Sequence, residues 1–425
     1  MWSSGWAGNT GAASPRRADP VDRELDALDL GAGKRLSIIE GSDGLAALPQ
    51  VREPDGSWRR ARPGDGVAEA LLTVLAATPE VCDVGSFTVR AWSSRAAVGE
   101  RAITVDQTNE SMIVGEAAVV KWATHLQHGP HPAPHRIEVL RANGFRSMPR
   151  PWGLVTWRPG DGLETLVANV DQYLPGAVDG WTWTVDMIAE AAHDRVPRTA
   201  SVTEALAEVG TVVADLHAAL SVTATVASQT DADRWCTEAL ATLDAAQALS
   251  DSATGDLLRQ RRGQIEDILG ALGRLAGTPV LEGHGDLHVG QVLRHPGGYV
   301  VTDFDGNPVL PAAERALPIP AALDVAGLTQ SLTHAAIVAR RHHQVDDRAL
   351  AIVDEAARQT FLHSYAAHLS ARGHPELYAA AALPAFRLQQ VLREIVYAAR
   401  HLPRWMYVPD AALPMLLAER TTGAR

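Results

Sequence analysis

The polar stretch Gly283–Pro308 constrains this 425-residue chain more than any other feature. Within it, Asp286 precedes the amide of Gln291 by five positions, and the strand-like run VVTDF then presents Asp303. An amide oxygen and a carboxylate are hard oxygen ligands of the kind that Mg²⁺ binds. The spacing therefore predicts a loop that carries an acid and one metal ligand, followed by a strand that ends in a second metal ligand.

This spacing is typical of a protein-kinase catalytic loop. The pattern H-R-D-x-x-x-x-N places a base Asp five positions before a metal-binding amide, and Asp-Phe-Gly at the end of a later strand supplies the second metal ligand. Here Asp286 is predicted to accept the proton of an attacking hydroxyl, while Gln291 and Asp303 hold Mg²⁺. Gln in place of Asn lengthens the metal-binding arm by one methylene, so we expect the metal slightly farther from the loop backbone.

The chain contains very few lysines, and one of them is a candidate for binding the nucleotide phosphates. Among 38 basic residues only Lys34 and Lys121 are lysines, a skew that base composition explains because Ala and Gly are also abundant. Lys34 lies in a glycine-rich turn, whereas Lys121 lies in an apolar strand, where a charge needs a partner. Glu138 on the following helical segment is the predicted partner. A salt bridge with a purely structural role remains the alternative for this pair.

Composition limits the partners that the chain can have. The formal net charge is −12 and no concentrated basic stripe offsets it, so we expect no nucleic acid partner. The two cysteines, Cys82 and Cys236, match no metal-site spacing, which is typical of proteins in a reducing cytosol. The polar N-terminus lacks an apolar signal segment, and no run approaches the roughly 18 apolar residues of a membrane span. We therefore expect a cytoplasmic protein without a membrane partner.

The order of predicted elements indicates an α+β fold in three parts. Residues 1–98 are predicted as an N-terminal subdomain, with VDRELDALDL as a short helix and SIIEG, LAALPQVR and GSFTVRAWS as strands. Residues 99–174 are predicted to be β-rich with one helix, HRIEVLRANG. Residues 175–425 are predicted to be mainly helical, with a capping box at Ser201 and Glu204 that opens a long helix.

Three segments, HGDLHVGQVLR, YVVTDFDGNPVLP and LDVAGL, resemble the actinobacterial maltokinase-related kinases of the aminoglycoside phosphotransferase branch. The DFDGNP variant and the C-terminal HLPRWMYVPD are most similar to glucosamine kinases of that group. The resemblance covers roughly residues 100–410. It implies a bilobal protein-kinase-like fold with an N-terminal cap subdomain, a β-rich N-lobe and an α-helical C-lobe, with ATP and Mg²⁺ as cofactors. It also implies that Asp324 of LDVAGL braces the catalytic loop.

The resemblance assigns further roles around the nucleotide. Residues 106–111, which end at Ser111, occupy the place of the loop that covers the phosphates. The backbone of Gln172 and Leu174 corresponds to the hinge that pairs with adenine. Asp179, just beyond the hinge, is placed to take the ribose hydroxyls, with an ordinary loop residue as the alternative.

An amino sugar is largely cationic near neutral pH, so its pocket is expected to present carboxylates beside a stacking platform. Trp405 and Asp410 offer an aromatic ring and an acid within one short segment. Trp405 is predicted to stack on the sugar and Asp410 to pair with the ammonium, with Glu394 as a weaker candidate. A Trp buried in the core is the alternative for Trp405.

Together these features predict an ATP-dependent kinase that converts glucosamine to glucosamine 6-phosphate and acts as a monomer or weak homodimer. Three alternatives remain open. One is a maltokinase that forms maltose 1-phosphate, a second is an aminoglycoside phosphotransferase, and a third is a nucleotide-binding pseudokinase without activity. Intact Lys121, Asp286 and Asp303 argue against the third.

Overall fold

The structure, a computed structural model, describes residues 23–42, 44–103, 110–127, 129–160, 162–249 and 253–422. Its strands pair antiparallel in two larger sheets and two short strand pairs. The strands are, in chain order, β1 Arg23–Gly31, β2 Lys34–Gly41, β3 Gly44–Arg52, β4 Trp58–Arg60, β5 Val81–Val84, β6 Phe87–Ala91, β7 Glu100–Ala102, β8 Glu110–Val114, β9 Ala118–Trp122, β10 Pro151–Trp157, β11 Thr165–Gln172, β12 Thr225–Val226, β13 Pro279–Val280, β14 Val292–His295 and β15 Gly298–Val301.

Helices predominate after the second large sheet. In chain order the helices are α1 Val67–Ala77, α2 Pro132–Ala142, α3 Gly180–Ala191, α4 Ala200–Leu220, α5 Gln229–Leu249, α6 Ala253–Gln260, α7 Arg262–Leu269, α8 Ala312–Arg315, α9 Ala321–His342, α10 Asp347–Ala371, α11 Leu383–His401 and α12 Tyr407–Thr422. The predicted α+β class is therefore confirmed, with strands concentrated before residue 173 and helices after it.

The first sheet, of order β1-β2-β3-β4, shows that one prediction was wrong. VDRELDALDL is predicted as a helix, but residues 23–31 form β1, in which Leu28 and Leu30 are buried and Asp29 between them is exposed. Alternate burial of this kind is the period of a strand that packs one face on a core. The turn at Ala32, with φ 51°, returns the chain into β2, so hairpin pairing decided the structure of this segment.

The second sheet has the order β5-β6-β10-β11-β9-β8-β7 and two chemically different faces. One face packs into the hydrophobic core with Met112, Val120 and Trp122. Because side chains alternate along a strand, the neighbouring positions point to the other face. There Lys121 on β9 lies directly between Ser111 on β8 and Asn169 on β11. We call this side of the sheet the lysine face.

Strand pairing connects the predicted N-terminal subdomain to the part that follows it. Strands β5 and β6 precede residue 98, yet β6 pairs with β10 in the second sheet. The chain divides into two compact units, the first comprising Met1–Arg141, Met148–Ala177 and Asp303–Leu317, and the second the remaining residues. The proposed boundaries at residues 98 and 174 stay predictions.

The second unit is built around long buried helices. Helix α4 packs along α10 and begins at Ala200 after Thr199, whose side chain makes no cap hydrogen bond, so the predicted capping box at Ser201 and Glu204 is wrong. Among the described residues, Ala200–Thr223 is the segment long and apolar enough to cross a membrane, but 67% of its apolar window is buried inside the protein. Such burial is typical of a core helix, so this segment is weak evidence for a membrane span.

Candidate active site

The lysine face of the first unit holds the candidate phosphate-binding group. Lys121 Nζ lies 3.3 Å from the Oδ1 atom of Asp303, although 182 positions separate the two residues. Ser111, the cross-strand neighbour of Lys121 on β8, is buried. Residues 106–109 of the predicted phosphate-covering loop lie outside the described residues. The fold thus brings together a lysine and the first Asp of Asp-Phe-Asp, with a buried serine on the neighbouring strand.

Three carboxylates share the charge of this one ammonium. Burial lowers the pKa of Lys121, but Asp303, Asp305 and Asp171 outweigh that effect and raise it above its usual value. Burial raises the pKa of Asp171 to about 7, and burial together with Asp303 raises the pKa of Asp305 to about 6. The lysine face therefore carries more negative charge than Lys121 neutralises, and Asp171 and Asp305 are site residues that the sequence analysis missed.

Glu138 does not hold Lys121, contrary to prediction. Its Oε1 atom lies 2.8 Å from Nε of Arg90 on β6, and Arg90 also pairs with Glu164. Helix α2 contributes a different residue to the site, because the buried Arg136 donates to the carbonyl of Phe304 at 3.0 Å. The motif order matches that of kinases, but the helix that should supply the glutamate instead fixes the Asp-Phe-Asp segment.

The Asp-Phe-Asp segment has a constrained backbone. Asp303 has φ 66°, a left-handed conformation that costs a non-glycine residue energy and is concentrated at functional sites. Gly306, three residues later, has φ 72°, and a Cβ there would lie 3.1 Å from a guanidinium nitrogen of Arg136. Glycine at 306 therefore permits the close approach of the arginine that holds Phe304.

Asp324 holds the predicted catalytic loop of the second unit, as the resemblance implies. The two carboxylate oxygens of Asp324 accept the backbone N–H groups of His284 and Gly285 at 2.7 and 2.8 Å. The buried His284 ring bonds the carbonyl of Thr302 through Nε2 at 2.9 Å and accepts the N–H of Asp286 at Nδ1 at 3.3 Å. Asp286 is therefore presented by a loop whose backbone is fixed on both sides.

Two further buried residues extend this support, and the sequence analysis missed both. His217 on α4 donates from Nε2 to Asp324 at 3.2 Å and accepts the hydroxyl of Tyr365 at Nδ1 at 2.8 Å. Burial raises the pKa of Tyr365, so its hydroxyl stays protonated. Burial raises the pKa of Asp324, but the hydrogen bond and charge of His217, together with His284 and the N–H of Gly285, hold that pKa below its usual value. In the sequence, His217 and Tyr365 are isolated polar residues in helical segments and belong to no motif that would have indicated this role.

Glycines let the neighbouring helices approach the loop that carries Gln291. A Cβ at Gly180, the first residue of α3, would lie 1.6 Å from the carbonyl oxygen of Val289, and one at Gly327 of α9 would lie 2.4 Å from that of Leu287. The backbone carbonyl of Gln291 accepts the N–H of Thr302 at 2.9 Å. The loop is therefore packed tightly on both helices.

The predicted nucleotide residues at and beyond the end of β11 have identifiable places in the fold. Gln172 donates its backbone N–H to Arg150 at 2.8 Å and ends β11, so it lies in an extended segment as a hinge does. Leu174 is half-buried. Asp179 caps α3 by accepting the N–H of Thr182 at 3.0 Å, which accounts for this residue without a nucleotide. The adenine and ribose contacts stay predictions.

The predicted sugar residues have partners within the second unit. Trp405 is 9% exposed and contacts Trp181 edge-on, with 6.4 Å between ring centroids. Asp410 accepts the hydroxyl of Thr254 on α6. Glu394 lies 3.2 Å from the buried His334. These contacts favour structural roles for Asp410 and Glu394, and the sugar contacts stay predictions.

The pKa of Arg393 on α11 is lowered by burial, and the charges of Glu238 on α5 and of Asp286 only partly offset that effect.

No family model matches the chain. It is 61% identical over 399 residues to a glucosamine kinase of Mycolicibacterium smegmatis, which covers 94% of this chain and 99% of that protein. It is 43% identical over 437 residues to a glucosamine kinase of Streptacidiphilus jiangxiensis, with 98% of both proteins covered. Among solved structures, a glucosamine kinase in complex with glucosamine, ADP and inorganic phosphate matches with a TM-score of 0.83 and 39% identity, covering 98% of this chain and 100% of the other.

Proposed function

The chain belongs to the glucosamine kinase family, and we propose that it transfers the γ-phosphoryl group of ATP to the 6-hydroxyl of glucosamine. The observation that carries this proposal is the contact between Lys121 and Asp303 on the lysine face. It places the predicted phosphate-binding lysine beside the predicted metal ligand, and a pseudokinase commonly lacks one of these two residues.

Each proposed residue has one task in the reaction. Asp286 accepts the proton of the sugar hydroxyl as its oxygen attacks the γ-phosphorus, and the bond from that phosphorus to the β,γ-bridging oxygen breaks to release ADP. Lys121 holds the phosphates through its ammonium charge, with Ser111 beside it on β8. The loop contacts of Asp324 fix Asp286 for this proton transfer.

The side-chain chemistry of the two predicted metal ligands fits a magnesium ion that arrives with the nucleotide. Asp303 offers a carboxylate, Gln291 offers an amide oxygen, and both are hard ligands. Among the described residues no cluster of three or more metal-binding side chains exists, so the protein alone does not form a closed cage. When bound, the ion neutralises charge on the transferred phosphoryl group. The excess negative charge at Asp171, Asp303 and Asp305 favours such a cation.

Sugar selectivity tests the proposal. ADP release is measured with glucosamine, maltose, glucose and an aminoglycoside as acceptors, each with ATP and Mg²⁺. We expect the highest kcat/KM with glucosamine. Maltose as the preferred acceptor would indicate a maltokinase, and an aminoglycoside as the preferred acceptor an antibiotic-modifying kinase. If the protein binds ADP but forms no ADP from ATP with any of the four acceptors, it is a pseudokinase.

We propose that the enzyme works in the cytoplasm on ATP and a small sugar, as a monomer or weak homodimer. Metabolic ATP and a reducing environment for Cys82 and Cys236, which are free thiols here, support this location. Light scattering over a range of protein concentrations measures the oligomeric state. A constant mass near twice 45.3 kDa, even at the lowest concentrations, would indicate a tight dimer and contradict the proposed monomer or weak homodimer.

A further inference from the structure

The lysine face presents a problem once nucleotide and metal bind. Lys121 pairs with Asp303 in this structure, but under the proposed function Asp303 is a metal ligand and must then serve the cation. The helix glutamate that would replace it, Glu138, is held by Arg90 at 2.8 Å. A second partner for Lys121 must therefore come from elsewhere in the first unit.

Strand β11 provides two polar side chains in the right place. Asn169 is the direct cross-strand neighbour of Lys121, and Asp171 lies two positions further on the same face. Directly opposed side chains on an antiparallel pair have Cβ atoms about 5 Å apart, and diagonal ones remain within reach of a long side chain. The register of β11 against β9 therefore places Asp171 on the same face as Lys121 and diagonal to it.

The hydrogen bonds of this pair leave one acceptor open. Asn169 Nδ2 donates to Oδ2 of Asp171 at 2.8 Å, which fixes the orientation of the amide. Its Oδ1 atom is buried and has no hydrogen-bond partner within the part of the chain that the structure describes. An unsatisfied buried acceptor is costly, so its presence on the residue directly opposite Lys121 needs an explanation.

We propose that Asn169 and Asp171 are the positioning pair of the nucleotide lysine and hold Lys121 when Asp303 binds metal. The ammonium donates to Asn169 Oδ1, and Asp171 supplies the counter-charge that the helix glutamate supplies in other kinases. This inference rests on the proposed function of Lys121 and Asp303. Because both residues lie on the central strand next to β9, the position of Lys121 is set by the sheet and not by helix α2.

Nucleotide affinity separates the two candidate counter-charges. Asp171→Asn and Glu138→Gln each remove one carboxylate with little change of shape, and ADP binding with Mg²⁺ is measured by calorimetry beside the KM values for ATP and glucosamine. We expect Asp171→Asn to weaken ADP about tenfold, as loss of a bond to a charged group does. Its KM for ATP rises in parallel and its KM for glucosamine stays within about twofold. Glu138→Gln leaves ADP affinity within about twofold of the parent.

The scarcity of lysine allows a direct readout. In a Lys34→Arg background Lys121 is the sole lysine, so ¹⁵N-lysine labelling gives one side-chain ammonium signal. We expect that signal to be sharp with ADP and Mg²⁺ in the parent and in Glu138→Gln, and broadened by exchange in Asp171→Asn and Asn169→Ala. Restoration of the sharp signal by Asp171→Glu would support a role of the charge itself. If Asp171→Asn does not fold, Asn169→Ala carries the same test.

Two results distinguish failure of this inference from failure of the proposed function. If the parent neither binds ADP nor forms ADP from ATP with any sugar, the proposed function is wrong, and with it the role inferred for Asn169 and Asp171. If the parent is active while Asp171→Asn and Asn169→Ala match it in ADP affinity and ammonium signal, only the positioning pair is wrong. Weak ADP binding by Glu138→Gln in an active enzyme would instead return the role to helix α2.

Discussion

The catalytic loop and the lysine face differ in how completely their polar groups are satisfied. Around Asp286, the backbone N–H groups, His284, His217 and Asp324 form a closed set of hydrogen bonds. On the lysine face, one ammonium meets three carboxylates, two of which have raised pKa values. The loop that carries Asp286 is thus held in place by the protein alone. The carboxylates of the lysine face, in contrast, need a bound cation to balance their charge.

Replacement of the base gives the largest expected effect. Asp286→Asn removes the proton acceptor but keeps the side-chain shape, so kcat falls about 10²–10⁴-fold, the usual contribution of a general base. Affinity for ADP with Mg²⁺ is expected to match the parent because Asp286 acts on the sugar. Turnover is measured by coupled ADP release, and Asp83→Asn on exposed strand β5 is the control. Parental turnover by Asp286→Asn would show that another group takes the proton.

Weakening of the loop support tests whether the loop is preformed. Asp324→Asn places a donor where two backbone N–H groups and His217 need acceptors, so the free energy of unfolding falls by about 3 kcal/mol. Urea unfolding measures this loss, and kcat is expected to fall with KM for ATP nearly unchanged. If KM for ATP rises as much as kcat falls, the loop and the lysine face are coupled and the contrast between them fails.

The pH dependence of stability tests the excess charge on the lysine face. The pKa of Asp171 is raised to about 7, so between its ordinary value near 3.8 and 7 the folded state binds more protons than the unfolded state. Stability therefore decreases as pH rises through this range, and Asp171→Asn removes that decrease. The stability of the variant minus that of the parent is therefore expected to be larger at pH 8 than at pH 5. An equal difference at both pH values, measured by thermal unfolding without nucleotide, would contradict the charge imbalance.

The smallest effect is expected at the outer end of the loop support. Tyr365→Phe removes the hydroxyl that donates to His217 and leaves the ring packing, so stability falls by about 1 kcal/mol. kcat is expected to stay within about twofold because Asp324 keeps its two backbone bonds. Chemical unfolding and ADP release measure the two quantities. A large loss of kcat would mean that Tyr365 also positions Asp286.

Local spacing was enough to propose roles for residues that lie close in sequence. Asp286, Gln291 and Asp303 follow one another within 18 positions in the order of a kinase motif, and their roles stay predictions. The partner of Lys121 was beyond such reasoning, because helical spacing places Glu138 near the sheet but does not show that Arg90 on β6 binds it. Asp171 was missed for a related reason, since its position on the lysine face depends on the register of β11 against β9.

The same distinction explains the errors in the fold. The amphipathic pattern of VDRELDALDL fits a short helix, and only pairing with β2 makes it a strand. For the predicted sugar residues the structure shows partners within the second unit, Thr254 for Asp410 and His334 for Glu394, and their sugar contacts stay predictions. Sequence motifs thus identified residues by type, and long-range packing decided their partners.

Identification of the product by ³¹P NMR tests the central claim most directly. The enzyme is incubated with ATP, Mg²⁺ and glucosamine, and its Asp286→Asn variant is treated in the same way after ADP binding to both has been verified. We expect a phosphomonoester on the 6-oxygen of glucosamine from the parent and none from the variant within the same time. A phosphate on the anomeric oxygen, or no sugar phosphate from a parent that binds ADP, would contradict the account.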